Sequence, residues 1–478
     1  GGGGRVGGWA GRCWAVGRSL TGGVGAGGSG RSLTELVTAN ETERGRDAYR
    51  PGSFGTVNKD YRYVEALAKE GYRYYYFRRY PHDADERGRP RRTSALHHRM
   101  QPRGRLFGAK RGGAGPGHSG PGKAWRRAGA DQRRFGWTRP PWFDRQAEEH
   151  ATFRERAGII DMTSFGKIEL DGPGALPLLE RVAGNLIDRP VGSVVYTQLL
   201  DRRGGMAADV TITRLAPDRF RLVTGAGYVN SDLGWLRLEQ READGLVRIR
   251  EVTEELGVIG MWGPRARQVL EGLTDDDVSE DGFPFMQARG IRIEGLEVFA
   301  QRVTYVGELG WEFYLEPRLA MQVWDRLMAA GRTLGIRPGG YRALDSLRME
   351  KGYRYYGTDL TLLDNPLEAG LGFCVRFDKG DFNGREVLLA ARAAGITRRL
   401  RTLLVGEDDY ITIYGGEAVY ADGSIVGRLR SCAYGFTVGR NIAYTYLPVG
   451  LGTGARVEVE VFGRRLPARF SHDALRSG

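Results

Sequence analysis

The sequence predicts an α+β fold of several subdomains, followed by a small domain of β-strands that is either a barrel or a sandwich. Residues 147–380 alternate short strand patterns such as FGKIELDG and RFRLVTG with helical patterns such as ALPLLERVAG. Beyond Arg398, strand patterns dominate, and glycine turns such as ADGS separate them as in β-hairpins. A chain of 478 residues is also long enough for two to four domains.

The first part of the chain is rich in glycine and basic residues. Residues 1–30 contain 14 glycines, and the first acidic residue is Glu35. A segment of this composition buries too little apolar surface to offset the entropy lost on ordering. We therefore predict a disordered tail over residues 1–45. A second glycine-rich, basic stretch, residues 111–134, is predicted to be a disordered insertion inside a linker of residues 46–146.

Charge is unevenly distributed along the chain. Residues 1–140 hold 28 Lys+Arg against 11 Asp+Glu, whereas the remainder holds 43 against 47. A basic region is typical of proteins that bind nucleic acids or anionic surfaces. In this sequence a nucleic-acid function rests on that composition alone, and we expect no nucleic-acid partner.

The cysteines, histidines and apolar runs of the sequence limit the cellular compartments that are expected for the protein and argue against a metal site. Cys13, Cys374 and Cys432 lack the spacing of metal ligands and cannot form a disulfide framework. His97 and His98 are adjacent, but no further ligands stand at a workable spacing. No run approaches 18 apolar residues, so we expect no membrane-spanning helix. These observations predict a reducing compartment, the cytoplasm or, in a eukaryote, the mitochondrial matrix.

A dinucleotide-binding pattern, G-x-G-x-x-G, occurs four times but lacks its structural context. Such a fingerprint requires a strand before it, a helix after it and an acidic residue about 20 positions further on. None of the four occurrences meets these conditions, and chance matches are expected where glycine is so abundant. The sequence therefore predicts no flavin or nicotinamide domain of its own.

One carboxylate stands out in the segment YTQLLDRRGGMAADVTITRL. Asp209 follows a Gly-Gly turn at the start of an apolar strand pattern, where desolvation without a partner would raise its pKa. Such carboxyl groups are found at functional sites, but this one can equally cap the turn or pair with Arg214 or a distant arginine. The pattern alone leaves both interpretations open.

A second acidic cluster lies in the segment TYVGELGWEFY. Tyr305, Glu308 and Glu312 flank a glycine turn among aromatic residues. A buried glutamate there would suit a ligand with adjacent N–H donors, because a carboxylate accepts two parallel hydrogen bonds. The alternative is an exposed hairpin with solvated acids, and spacing does not decide between the two.

Five segments, taken in order, resemble the glycine-cleavage T-protein (aminomethyltransferase) superfamily, which binds folate. They are YTQLLDRRGGMAADVTI, VIGMWGPRARQVL, YVGELGWEFY, ALDSLRMEKGYRYYGTDL and NPLEAGLGFCVRFDKGDFNGREVL. Within the superfamily the sequence is most similar to the carboxyl-terminal half of dimethylglycine and sarcosine dehydrogenases and oxidases. The resemblance implies a T-protein-like folate-binding domain over residues 147–390 and the family's C-terminal β-barrel over residues 395–478.

The resemblance also implies an enzymatic reaction and its residues. The reaction is capture of the iminium carbon of a methylated glycine-type amine by tetrahydrofolate, giving 5,10-methylene-tetrahydrofolate. Asp209 matches the family carboxylate beside the folate atoms that accept the carbon and is the expected catalytic residue. T-proteins commonly carry two acids at this turn, and here the first is Ala208. The residues expected to contact folate are Tyr196, Tyr228, Tyr305, Glu312 and Arg348.

Departures from T-proteins leave two alternative functions to be weighed. Leu344 replaces a common arginine and Tyr228 a common asparagine, which favours the dehydrogenase branch. In that branch a flavin domain oxidises the amine, so FAD is expected only through a missing or separate domain, possibly a subunit in trans. One alternative is thus the C-terminal part of an FAD-dependent dimethylglycine or sarcosine oxidoreductase. The other is a non-catalytic folate-binding regulator, against which the segment KGYRYYG counts because it lacks the cysteine of those relatives.

Overall fold

The computed structural model describes most of the chain from residue 142 onward and shorter pieces before it. The described residues are 5–9, 12–16, 61–73, 93–97, 106–110, 113–118, 139–140, 142–407, 409–452 and 454–475. Within them the helices are α1 (Tyr61–Arg73), α2 (Phe143–Glu155), α3 (Ala175–Val182), α4 (Val229–Leu238), α5 (Ala266–Glu271), α6 (Ala320–Ala330), α7 (Tyr341–Glu350) and α8 (Arg385–Ala394). Among these residues, no helix is long and apolar enough to span a bilayer.

The strands form two short hairpins, two larger sheets and a barrel. In chain order they are β1 (Arg5–Trp9), β2 (Arg12–Val16), β3 (Leu106–Lys110), β4 (Gly113–His118), β5 (Gly158–Asp161), β6 (Gly166–Asp171), β7 (Val194–Leu200), β8 (Met206–Ala216), β9 (Arg219–Thr224), β10 (Arg248–Glu251), β11 (Gly257–Trp262), β12 (Ala288–Ile293), β13 (Leu296–Gln301), β14 (Gly310–Leu315), β15 (Arg337–Pro338), β16 (Arg398–Val405), β17 (Ala418–Ala421), β18 (Ser424–Gly435), β19 (Arg440–Pro448), β20 (Val457–Val461) and β21 (Arg464–Ser471).

The first glycine-rich segment contains one short hairpin, and the second contributes one strand, β4, to the other. Strand β1 pairs with β2, and β3 pairs with β4, both antiparallel. Disorder is predicted over residues 1–45 and 111–134, but residues 5–9, 12–16 and 113–118 of these segments are strands in the structure. The other residues of the two segments lie outside the described ranges, and their disorder stays a prediction, which deletion of the insertion would test.

The first large sheet is antiparallel, with the strand order β10-β6-β9-β8-β7. Its outer face is apolar: Ile168, Ile212 and Leu222 are buried against α3 and α4 in one hydrophobic cluster. Because side chains alternate along a strand, the residues between them point to the opposite, inner face. That face is largely polar and carries Lys167, Glu169, Asp209, Thr211, Thr213 and Arg221.

The second large sheet has the order β12-β13-β14-β11-β5-β15. Its outer face packs on helices α5 and α6. Helix α6 has the sequence AMQVWDRLMAA, whose apolar residues recur every three to four positions, so that Val323, Trp324 and Leu327 share one buried stripe. Glu312 and Tyr314 alternate with the residues of the outer face and therefore lie on the inner face.

The inner faces of the two sheets meet. Val223 of the first sheet packs in one cluster with Ile160, Val258 and Tyr314 of the second. The guanidinium carbon of Arg221 lies 5.4 Å from the centre of the Tyr314 ring. The polar face of the first sheet is consequently enclosed, and its charged groups must find partners or a ligand there.

The C-terminal domain is a closed barrel with the strand order β16-β19-β18-β17-β20-β21. The ADGS turn joins β17 to β18, and its central residues Asp422 and Gly423 have φ values of 47° and 78°. Two positive φ angles are what a two-residue hairpin turn requires. The predicted α+β fold with a C-terminal β-barrel is thus confirmed.

Candidate active site

Asp209 neither caps the preceding turn nor pairs with Arg214 in the described part of the chain. Asp201 caps the turn, since its Oδ1 accepts hydrogen bonds from the backbone N–H of Arg203 at 2.9 Å and of Gly205 at 2.8 Å. The guanidinium of Arg214 donates to Asp188 at 2.6 Å. The turn cap and the partner of Arg214 are therefore other carboxylates, and among the described residues no distant arginine forms an ion pair with Asp209.

Asp209 is held by neutral hydrogen-bond donors. Gln198, its cross-strand neighbour on β7, donates from Nε2 to Oδ1 of Asp209 at 2.8 Å. The hydroxyl of Tyr196 also donates to this carboxylate. Burial raises the pKa of Asp209 to about 6, and the two hydrogen bonds act in the opposite direction. Asp209 is thus a carboxyl group whose charge changes near neutral pH.

Ala208 explains why only one acid faces this site. Strand alternation directs Ala208 to the outer face, where it is 1% exposed and packs in the apolar cluster beneath α3. An acid at this position would lie in that hydrophobic cluster rather than beside Asp209. The replacement of the first acid is therefore consistent with the packing of this chain.

Two tyrosines form an aromatic wall at the start of β8. The rings of Tyr228 and Tyr356 meet edge to face, with centroids 4.9 Å apart and planes at 87°. The hydroxyl of Tyr356 donates to the carbonyl oxygens of Met206 at 3.1 Å and Ala207 at 2.5 Å. Tyr228 is among the folate contacts predicted from the sequence, and Tyr356 is not. The run YRYY is the signal in the sequence for Tyr356, but it does not indicate which ring faces the site.

Glu312 lies half-buried on the inner face of the second sheet, not in a solvated hairpin. Its Oε2 accepts a hydrogen bond from the hydroxyl of Tyr314 at 2.6 Å. Burial raises the pKa of Glu312, while this hydrogen bond and the charge of Lys167 lower it. Glu308, by contrast, pairs with Arg154 at 3.0 Å. The two acids of this segment therefore have different surroundings.

Lys167 is a buried cation that sequence analysis missed. It is fully buried, and its Nζ donates to the carbonyl oxygens of Thr163 and Leu256, both at 2.9 Å. Burial lowers the pKa of Lys167 to about 7, against the opposing effect of nearby carboxylates that include Asp161 and Glu312. Its only signal in the sequence is a single lysine in the apolar strand pattern FGKIELDG.

Asp209 and Lys167 share the inner face of the first sheet. Lys167 stands opposite Val223 on β9, which stands opposite Thr211 on β8, and Asp209 is the next inward residue of β8. Strands spaced by about 4.8 Å separate Lys167 from Thr211 by about 10 Å. The fold thus brings Asp209 into the layer between the sheets that also contains Glu312.

Tyr305 lies beside the same layer. Its hydroxyl donates to the carbonyl oxygen of Arg354 at 2.6 Å, and its ring stacks on Tyr353 with centroids 5.9 Å apart. Burial raises the pKa of Tyr305 well above its ordinary value, Arg348 opposes this, and the charge of Asp209 adds to it. Tyr305 therefore belongs to the electrostatic surroundings of Asp209.

Arg348 is set back from the layer and is engaged by the protein itself. Nε donates to Asp345 at 2.8 Å, Nη1 to Asp359 at 2.9 Å and Nη2 to Ser431 of the barrel at 2.8 Å. These bonds tie α7 to the barrel, and direct contact of Arg348 with folate stays a prediction. Leu344, which replaces a common T-protein arginine, packs in the apolar cluster that contains Tyr314.

The side chains that face this layer suit a flat, polar organic ligand. No cluster of three or more His, Cys, Asp and Glu side chains capable of holding a metal occurs in the ranges that the structure describes. The groups that the fold brings together are two carboxylates and several aromatic rings. Carboxylates suit N–H donors, and rings suit a planar heterocycle.

Comparison with known proteins identifies the fold and the family. The family model for the GCVT N-terminal domain matches residues 123–379, and that for the glycine cleavage T-protein C-terminal barrel domain matches residues 398–475. The structure is similar to the glycine cleavage system aminomethyltransferase T from Bartonella henselae, with a TM-score of 0.68 and 25% sequence identity over 81% of this chain and 98% of that one.

Two curated relatives show the same relationship at the level of sequence. The mitochondrial dimethylglycine dehydrogenase of Rattus norvegicus is 33% identical over 94% of this chain and 52% of its own length. The aminomethyltransferase of Moorella thermoacetica is 34% identical over 72% of this chain and 93% of its own length. The chain spans about half the length of the dehydrogenase relatives, and nearly all of this aminomethyltransferase. It belongs to the glycine-cleavage T-protein (aminomethyltransferase) family, as the order of its motifs predicts.

Proposed function

We propose that the chain is a tetrahydrofolate-dependent one-carbon transferase that captures the iminium carbon of a methylated glycine-type amine as 5,10-methylene-tetrahydrofolate. The observation that carries this proposal is the position of Asp209 and Glu312 in one layer between two sheets. Among the described residues both carboxylates are held by neutral donors and neither forms an ion pair. Such carboxylates are available to a ligand that carries N–H groups or positive charge.

The residues present fit a reduced folate. Glu312 uses Oε2 for Tyr314, and a carboxylate has acceptor capacity for two further parallel N–H groups, as on the amino-pyrimidinone edge of a pterin. The aromatic wall of Tyr228 and Tyr356 and the stacked rings of Tyr305 and Tyr353 supply flat apolar surfaces beside it. When bound, tetrahydrofolate would supply the amine nitrogens that take up the carbon.

Asp209 is the proposed catalytic residue. With a pKa of about 6, its carboxyl group is mostly ionised at pH 7, yet it is close enough to neutrality to take up a proton. In a partly desolvated site its negative charge stabilises an iminium cation and the positive charge that develops on an attacking amine. Gln198 orients the group by holding Oδ1, and Tyr196 adds a second donor.

The direct test is titration of the purified chain with tetrahydrofolate, followed by a transfer assay in which formaldehyde and the secondary amine sarcosine condense, with loss of water, to supply the iminium. The expected result is saturable folate binding and formation of 5,10-methylene-tetrahydrofolate faster than in the absence of protein. Folate binding without acceleration would favour the non-catalytic regulator. Absence of folate binding would overturn the proposal.

A second candidate function is the folate half of a flavin-dependent amine oxidoreductase. It is supported by the 33% identity to rat dimethylglycine dehydrogenase, of which this chain matches 52%. In this case FAD would be held by a separate domain or by a subunit in trans, and the location would follow that of the whole enzyme. Absorbance of the purified chain tests it: visible flavin bands that survive gel filtration would place the flavin on this chain.

A further inference from the structure

Gln301 is the cross-strand neighbour of Glu312 on the inner face of the second sheet. The two residues stand opposite each other in the antiparallel pair β13–β14. Side chains in such a pair have Cβ atoms about 5 Å apart and point to the same side. On the other flank of Glu312, strand β11 carries Gly260, which has no side chain. The side-chain amide of Gln301 is therefore the polar cross-strand neighbour of Glu312, in addition to the hydroxyl of Tyr314 on the same strand.

This amide is buried without a hydrogen-bond partner. Gln301 is 0% exposed, and neither its Oε1 nor its Nε2 is hydrogen-bonded within the described residues. Burying an amide in this way is costly, and native proteins rarely leave both of its atoms unsatisfied. An apolar side chain of similar volume at this position would cost less free energy to bury. The amide is therefore expected to hydrogen-bond a group that is not part of the chain, such as a bound ligand.

A second unpartnered polar atom lies on the facing sheet. Arg221 is 7% exposed, and its Nε and Nη2 donate to Glu169, whereas Nη1 has no partner among the described residues. Its guanidinium carbon lies within 5.5 Å of the rings of Phe299 and Tyr314, the inward residues next to Gln301 and Glu312 on their strands. Two unpartnered buried donors thus remain in this layer, one beside Glu312 and one beside the rings of Phe299 and Tyr314, and a ligand bound there can satisfy them.

We infer that Gln301 is a specificity-determining residue that donates from Nε2 to the ring carbonyl oxygen of the pterin, beside the N–H groups taken by Glu312. This inference rests on the proposed folate function and extends it. The amino-pyrimidinone edge presents two N–H donors followed by a carbonyl acceptor. A carboxylate with an adjacent amide presents two acceptors followed by a donor. This hydrogen-bonding pattern is complementary to that edge of the pterin. The positive charge of Arg221 favours the same carbonyl oxygen.

Gln301→Met tests the inference, because it keeps the volume and removes the amide. The variant should bind tetrahydrofolate and 6-methyltetrahydropterin about tenfold more weakly, by the same factor for both, since the lost contact is on the pterin. Binding of p-aminobenzoylglutamate, which lacks the pterin, should not change. The melting temperature of the ligand-free variant should stay the same or rise, because an unsatisfied buried amide has been removed.

Trp311→Phe is the control. Trp311 is also 0% exposed with a ring N–H that has no partner among the described residues, but it lies on the outer face of the same sheet in an apolar cluster. This variant should bind tetrahydrofolate like the parent. Parental affinity of Gln301→Met for both pterin ligands, or a lowered melting temperature with unchanged binding, would overturn the inference and leave the proposed function in place. A parent chain that binds no folate would overturn both.

Discussion

Gln198 donates a hydrogen bond to Asp209 across the β7–β8 pair at 2.8 Å, and this contact holds the proposed catalytic acid. Gln198 is 1% exposed, so water does not compete for its amide. The hydrogen bond lowers the pKa of Asp209, whereas burial raises it to about 6. The neighbouring amide therefore adjusts the pH at which the acid carries its charge.

Asp209→Asn should separate catalysis from binding. The change keeps the shape of the side chain but removes its charge, so we expect folate affinity close to that of the parent. Carbon transfer should slow on the order of 10²-fold or more, because the charge acts where positive charge develops. Single-turnover formation of 5,10-methylene-tetrahydrofolate measures the rate. Transfer at the parental rate would mean that this acid is structural.

The same substitution should stabilise the free protein at neutral pH. The folded state raises the pKa of Asp209, so it binds this proton more tightly than the unfolded chain, and the parent loses stability as pH rises from about 4 to 6. Asn removes that loss, which for a half-buried group is about 1–2 kcal/mol. Urea unfolding at pH 7 and at pH 4 measures it, and the difference between variant and parent should vanish at pH 4.

Gln198→Leu should shift the pH dependence of the reaction. Without its amide donor the carboxylate is less stabilised, so the pKa of Asp209 should rise by about one unit. Activity should then fall as pH drops through about 7 instead of about 6, with little change at pH 8.5. The check is the pH profile of transfer, with folate affinity measured in parallel. An unshifted profile would contradict the role assigned to Gln198.

Glu312→Ala should mainly weaken folate binding. A carboxylate that accepts two hydrogen bonds contributes about 1.5–3 kcal/mol, so the affinity should fall roughly ten- to hundredfold. Glu297→Ala is the control, because Glu297 lies in the same sheet with its side chain 82% exposed. Calorimetric titration distinguishes the two. Equal losses in both variants would indicate a general charge effect rather than contact with the ligand.

Gly357→Ala should destabilise the aromatic wall beside Asp209. Gly357 has a φ of 87°, and a Cβ there would lie 1.8 Å from the hydroxyl oxygen of Tyr228. We expect a loss of about 2–3 kcal/mol from the strained backbone and the clash together. Adding Tyr228→Phe removes the hydroxyl and should recover part of the loss. Chemical unfolding of the single and double variants measures these losses. If the double variant is no more stable than the single one, the whole loss of stability comes from the strained backbone.

Deleting residues 111–134 should leave the melting temperature nearly unchanged. The segment is rich in glycine and basic residues and has few apolar groups to bury, which is the basis for predicting its disorder. Calorimetry of the full chain and the deletion variant makes the comparison. A drop of more than about 5 °C would show that the segment packs on the fold.

The sequence by itself determined the fold class, the strand-rich C-terminal domain and the motifs that mark the two acids, whereas the strand pattern left a barrel and a sandwich both open. Alternation of apolar and polar residues and the spacing on helices such as α6 are local properties, and they specify which face of an element is buried. The turn chemistry of Asp422 and Gly423 is local as well. These features could be predicted because no distant residue is needed to produce them.

Tertiary structure decided which polar groups meet. Lys167 and Arg221 approach the strand of Glu312 because two sheets face each other, and Gln301 lies beside Glu312 because their two strands pair. The local sequence of a strand does not specify either kind of partner. Even within the β7–β8 pair, a register shift between Leu199 and Leu200 changes which residues are opposite. A slip of one residue would reverse the faces of a strand, so the contact between Gln198 and Asp209 depends on that irregularity. Folding therefore creates the buried polar layer, which no single motif of the sequence contains.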